Sequence, residues 1–222
     1  MGRHRHARGQ EEVIAGGLAT LWRTVGPGYV IRFLGRRILR MSQHVVYRTS
    51  VRGVAAPQWP DGFVVYVVAG RDAVDSHPAI AANLQGRNVQ YLKSVCQGEA
   101  IGVFVVAGDT LVHWAFVMKG SRTSCLLGLG RDAVLLGNAY TEPGFRGRGL
   151  QTLSMRQRLH ECGRLGVETV YTETEPDNRY SRRAMESSGM TLVREVSLLV
   201  ILNRLVFRRI HSGQASRICG IC

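Results

Sequence analysis

Acidic side chains are scarce in this 222-residue sequence, where 16 Asp and Glu stand against 29 Lys and Arg for a formal net charge of +13. Lysine is almost absent, with Lys93 and Lys119 the only two, so the positive charge is carried by arginine. Aromatic residues make up only 7%. They do not interleave with basic residues as in a stacking platform, which argues against a nucleic-acid reader of the usual kind. No apolar run approaches the roughly 18 residues of a membrane-spanning helix. The short run Val13–Trp22 is preceded by Glu11 and Glu12 and has no small-x-small cleavage site, so no secretory signal is expected. Five cysteines (Cys96, Cys125, Cys162, Cys219 and Cys222) are an odd and sparse set. They read as mostly reduced thiols of a cytoplasmic protein. The pair Cys219 and Cys222 has no second pair at zinc-like spacing, and no metal is expected.

The charge is unevenly placed. Residues 1–52 carry ten arginines and two glutamates, residues 204–222 carry four arginines and no acid, and the stretch between is nearly neutral. Within the first segment, Arg32, Arg36 and Arg40 recur on one face of a helical pattern over Tyr29–Met41, with Val30, Ile31, Leu34, Ile38 and Met41 on the other. Such a helix either docks its apolar face on the domain or lies on an anionic membrane surface. The division expected is a basic extension over 1–55 carrying this helix, a domain over 56–207, and a basic tail over 208–222.

The middle reads as an α/β chain. Phe63–Ala69 is a β-branched, aromatic run ending at Gly70, hence a strand. Ala73–Cys96 has a helical pattern interrupted near Gly86. Gly98–Ala107 and Thr110–Met118 are strands joined by the hairpin signal Gly108-Asp109. A loop rich in Gly and Ser follows, then a strand over Ala133–Thr141. Beyond Pro143-Gly144 the spacing turns helical up to Leu165, with Gly166 as the stop. Val167–Thr172 is a strand, Asn178–Ser188 a helix closed by Gly189, and Met190–Phe207 two strands meeting near Arg194-Glu195. This order predicts a mixed sheet with helices.

The turn between strand 133–141 and the next helix is Pro143-Gly144-Phe145-Arg146-Gly147-Arg148-Gly149-Leu150-Gln151. Glycines at 147 and 149 let backbone N–H groups approach an anion, and the helix that follows aims its positive end at the same place. It is neither a Walker loop nor the dinucleotide fingerprint, whose residues and spacings differ. Arg146-Gly147-Arg148-Gly149-Leu150-Gln151 resembles the pyrophosphate loop of the GNAT superfamily of N-acetyltransferases. Asn178-Arg179-Tyr180-Ser181-Arg182-Arg183-Ala184-Met185-Glu186-Ser187-Ser188-Gly189-Met190 is similar to that family's second signature. The resemblance covers about residues 62–207.

This resemblance implies a GNAT fold with a basic helical N-terminal extension, and an N-acyltransferase that moves the acyl group of acetyl-CoA, or another acyl-CoA, directly onto an amine. It implies coenzyme binding by Arg146, Gly147, Arg148, Gly149, Leu150 and Gln151, with the backbone of Thr141 polarising the acyl carbonyl. Asn178 and Ser181 would reach the pantetheine arm; they equally suit a helix N-cap and its first turn. Two positions depart from the family pattern: Gln151 replaces a small residue, and Met185 stands where a proton-donating Tyr is frequent. For the proton acceptor, strand alternation puts Asn138, Tyr140 and Glu142 on one face, while Glu173 and Glu175 follow the next strand. Glu142, Glu173 and Tyr140 are therefore the candidate catalytic residues. A non-catalytic acyl-CoA-binding or membrane-associated protein on the same fold is the alternative. A homodimer and peripheral membrane contact through 29–41 remain open.

Overall fold

The computed structural model of the chain describes residues 39–77, 80, 89–201, 205–212 and 215–220. Nine strands form one mixed sheet: β1 (Leu39–Ser50), β2 (Val64–Val68), β3 (Ala100–Ala107), β4 (Thr110–Lys119), β5 (Val134–Thr141), β6 (Thr169–Thr174), β7 (Thr191–Ile201), β8 (Leu205–Ser212) and β9 (Ala215–Gly220). The described helices are α1 (Arg71–Asp75), α2 (Val89–Cys96), α3 (Arg122–Leu126), α4 (Leu150–Arg164) and α5 (Arg179–Ser187). The strands lie in the order β2-β3-β4-β5-β6-β1-β7-β8-β9. Every neighbouring pair is antiparallel except β5 and β6.

Burial divides the sheet into two faces. On one, Val46, Phe104, Trp114, Phe116 and Leu135 pack with Val74 of α1, Val95 of α2 and Leu127 just after α3. On the other, Val45, Tyr47, Leu136 and Val170 pack with Met155, Leu159 and Cys162 of α4 and Met185 of α5. The continuous apolar run of β3 and β4 follows from being covered on both sides. The Gly108-Asp109 hairpin forms as expected, with φ of +57° at Gly108. Gly166 and Gly189, at φ +71° and +80°, follow the ends of α4 and α5.

Several expectations are corrected. The helix expected over 29–41 lies outside the described residues up to 38, and Leu39–Met41 open strand β1 instead of closing a helix. The reason is the run Val45-Val46-Tyr47, wholly buried on both faces between β6 and β7, which requires an inner strand. The boundary at 55/56 therefore does not separate an extension from the domain, because 39–50 is an inner strand of the sheet. Nor is 208–222 a tail, since β8 and β9 extend the same sheet. The two strands expected to meet near Arg194-Glu195 are one, β7, which runs unbroken to Ile201 and pairs with β8. The Gly- and Ser-rich loop contains α3, capped by Ser121 accepting from the Ser124 N–H. Cys96 and Cys162 are free thiols, and Cys125 is disulfide-bonded. Among the described residues no helix is long and apolar enough to cross a membrane.

Candidate functional site

The site originates where two parallel strands part. β5 and β6 pair at Val134 with Val170, Leu135 with Tyr171 and Leu136 with Thr172, and no further. Beyond that point β5 carries a bulge: between the pairs Trp114–Tyr140 and Phe116–Gly137, the single β4 residue Ala115 faces two of β5, Asn138 and Ala139. Asn138 takes the left-handed conformation the bulge needs, at φ +53°. Gly137 also turns toward Met118, and a Cβ there would lie 2.9 Å from Met118 Cε. The extra residue puts Tyr140 on the face of Leu135, where it stacks on Trp114 with ring centroids 4.5 Å apart.

Thr141 is placed by β4. It sits opposite His113 in a pair flanked by the Glu142 N–H donating to Val112 O, which makes it a narrow, non-hydrogen-bonded pair. In such a pair the Thr141 N–H points away from β4, toward the side where β6 has departed. Its side chain is fixed behind, with Oγ1 2.8 Å from His113 Nδ1. His113 is fully buried, and burial together with the nearby Arg158 charge lowers its pKa to about 3. Arg158 on α4 is also fully buried, reaching Ser154 O and Phe116 O, and burial pushes its own pKa down to about 10. The imidazole is therefore a neutral strut for the strand end.

The glycine turn follows. Residues Pro143–Phe145 form one 3₁₀ turn, and Arg146 folds back so that its Nε donates to Thr141 O at 3.2 Å, with its guanidinium over the Tyr140 ring. Gly147 and Gly149 have φ of +78° and +75°. A Cβ on either would meet nothing within 4 Å, so backbone conformation and not protein crowding demands glycine, and the space above the turn is open. Gly149 caps α4 without a side-chain hydrogen bond. The first helical bond runs from Leu153 N to Gly149 O, so the N–H groups of Leu150, Gln151 and Thr152 have no acceptor within the helix. Leu150 itself is buried and contributes only backbone here. Together these N–H groups and the end of a 15-residue helix make a cradle suited to a pyrophosphate.

A pocket of about 840 Å³ extends from Tyr140 and Thr141 over the turn to Asn178 and Ser181 on α5. Asn178 Oδ1 accepts from the Ser181 N–H, so it is the N-cap of α5. Ser181 Oγ accepts from Gln151 Nε2 at 3.1 Å, tying the starts of α4 and α5 together across the pocket. Met185 is buried in the core beneath and presents no group to the pocket. Exposed Arg183 and Tyr180 also line it, although the sequence reading gave neither a role in binding. Their signal was available: α5 is capped by Asn178, which brings its first turn and its basic residues over the glycine loop.

The three expected catalytic residues are not gathered in this pocket. Tyr140 lines it, whereas Glu142 is half-buried at the exit of β5 and is not among its lining residues. Glu173 lies one residue past the last β5–β6 pair, with its carboxylate turned to His44 of β1 at 2.6 Å. Among the described residues no group of His, Cys, Asp and Glu is arranged to hold a metal.

Known structures share this fold. A Drosophila protein of known crystal structure superposes with a TM-score of 0.54 at 18% identity, over 78% of this chain and 57% of its own. A tandem GNAT protein from the clavulanic acid biosynthesis pathway gives 0.53 at 16%, over 80% and 58%. A GCN5-related N-acetyltransferase from Sphaerobacter thermophilus gives 0.50 at 16%, over 78% and 56%. The chain has the GNAT fold. It spans little more than half the length of each of these neighbours. No family model and no curated protein matches the sequence. The bulged, splayed strand and the glycine turn of this GNAT-fold chain lie on one continuous pocket.

Proposed function

We propose that this GNAT-fold protein is an N-acyltransferase that passes the acetyl, or another acyl, group of an acyl-CoA to a primary amine by direct attack in a ternary complex. The observation that carries it is the junction itself: a strand end whose N–H is directed into a cleft, leading straight onto an open glycine cradle at a helix N-terminus.

In this reading the N–H groups of residues 147–152 bind the pyrophosphate, with Arg146, Arg148 and Arg183 supplying charge. Asn178 and Ser181 border the pantetheine arm. The Thr141 N–H donates to the acyl oxygen and stabilises the negative charge that grows there as the amine attacks. Glu142, at the exit of β5, attracts a cationic acceptor. Because Met185 is packed in the core, the thiolate leaves unassisted by that position. A thiol of pKa about 8.5 tolerates this near neutral pH. The buried Met185 and the Gln151–Ser181 bridge across the pocket also suit the second reading, a protein that holds the acyl thioester without turning it over.

The test is to incubate the protein with acetyl-CoA and a panel of amines (amino sugar, polyamine, lysyl peptide, peptide N-terminus) while following free thiol. Amine-dependent thiol release is expected. A coenzyme-induced rise in melting temperature without thiol release from any amine would establish the binding protein instead.

A further inference from the structure

Ser42, His44 and Glu173 form a hydrogen-bonded chain outside the coenzyme pocket. His44 Nδ1 lies 2.6 Å from Glu173 Oε2, and His44 Nε2 lies 2.9 Å from Ser42 Oγ. Val46 of β1 is directly opposite Glu173 of β6, so 42, 44 and 46 share the face of Glu173 by strand alternation. Val46 places that face on the side of the sheet where Tyr140 and Tyr171 also lie. Glu173 sits at the point where β5 and β6 separate, on β6, so the chain begins at the root of the cleft and runs outward along β1. The side chains of His44 and Glu173 are 18% and 25% exposed, shielded enough to stay paired and open enough to meet a substrate.

Hydrogen-bond accounting sets the direction of this chain. An ionised Glu173 only accepts, so His44 Nδ1 carries a hydrogen toward it. The neutral imidazole then presents its Nε2 lone pair to Ser42, whose hydroxyl must donate. Once Nε2 takes up a proton, the same 2.9 Å contact works in reverse, with Nε2–H donating to Ser42 Oγ. Both protonation states fit one geometry, and the carboxylate stabilises the imidazolium.

We propose that Ser42 and His44, oriented by Glu173, are the proton relay for the acceptor amine in the acyl transfer above, and the inference rests on that reading. As the amine nitrogen bonds to the acyl carbon and the C–S bond breaks, an N–H proton passes to Ser42 Oγ while the hydroxyl proton of Ser42 passes to His44 Nε2. The C–S electron pair leaves with the thiolate. The products are the amide, the coenzyme thiolate and an imidazolium paired with Glu173, which returns its proton to the thiolate or to water. Ser42 is the catalytic residue that touches the amine, and Glu173 is a positioning residue.

The experiment measures kcat, KM and melting temperature for Ser42→Ala, Ser42→Thr, His44→Ala and Glu173→Gln with acetyl-CoA and the best amine, and repeats kcat in mixtures of light and heavy water. Ser42→Ala and His44→Ala are expected to lower kcat about 100-fold, and Glu173→Gln about tenfold, with the KM for acetyl-CoA unchanged. Ser42→Thr, which keeps the hydroxyl, should stay within a few-fold of the parent. The dependence of kcat on heavy-water fraction should be curved in the parent, for two protons in transit, and straight in Ser42→Ala. Should His44→Ala melt early, Ser42→Ala, at a half-buried position near the start of β1, carries the decision. Parent-level kcat in Ser42→Ala and a straight isotope plot in the parent would overturn the relay while acyl transfer stands. A parent that binds coenzyme but acylates no amine would overturn the acyl-transfer reading and the relay with it.

Discussion

From Val134 to Leu136, strand β5 is paired on both edges and buried; from Asn138 to Thr141 it is paired only with β4 and at most half-buried. The first part has neighbours enough to be held by packing alone. The second keeps its shape through contacts from one side: the Trp114–Tyr140 stack, the His113–Thr141 hydrogen bond and the bulge at Asn138. The difference shows how a sheet frees a backbone edge for a ligand without losing rigidity, by spending side-chain contacts on the opposite edge.

The sharpest way to break this contrast is at the cradle above the open part. Gly149→Val forces a β-branched residue to φ +75°, which costs about 1–2 kcal/mol of stability. A side chain also enters the space left for phosphate, so the Kd for acetyl-CoA, read by calorimetry, should rise at least about 100-fold. In the closed part, Leu136→Ala should act the other way round. A cavity at this fully buried residue costs about 3 kcal/mol and lowers Tm by about 6–12 °C, with little change in coenzyme affinity at a temperature where both proteins are folded.

The strut between the parts predicts a pH dependence. His113 binds a proton near its ordinary pKa of 6.5 when unfolded but only at about 3 when folded. The unfolded chain therefore holds more protons between these values, and stability falls as pH drops through the window from 6.5 toward 3, by about 1.4 kcal/mol per unit at most. Urea titrations at pH 7 and pH 5 should show this loss in the parent and a clearly smaller one in His113→Gln. The smallest effect is expected from Thr141→Val, which removes the Oγ1 contact but keeps the N–H. It should cost about 1 kcal/mol by chemical denaturation and change kcat less than about threefold.

Much of this layout was legible in the chain. The hairpin at Gly108-Asp109, the helix closed at Gly166 and the glycine turn at 147–149 each depend on residues within a few positions of one another, and each formed where the pattern placed it. Strand β1 was missed because a helical arginine spacing ran into it, and nothing local says that Val45-Val46-Tyr47 will be enclosed between β6 and β7. The bulge was missed too, since Asn138 tolerates a positive φ but does not demand one. Glu173 could be named as a carboxylate near the cleft, yet its partner was not: His44 is 129 residues away and has no motif.

By itself, then, the sequence determined the local units: the glycine turn, the caps, the hairpin and the helix that aims its dipole at that turn. These need only backbone preferences and nearest neighbours along the chain. Tertiary structure alone decided that β5 and β6 part after Leu136, that His113 stays neutral beside Arg158, and that Ser42, His44 and Glu173 stand in line. Those outcomes depend on strand register, burial and charge brought together from distant segments, and no short-range pattern encodes them.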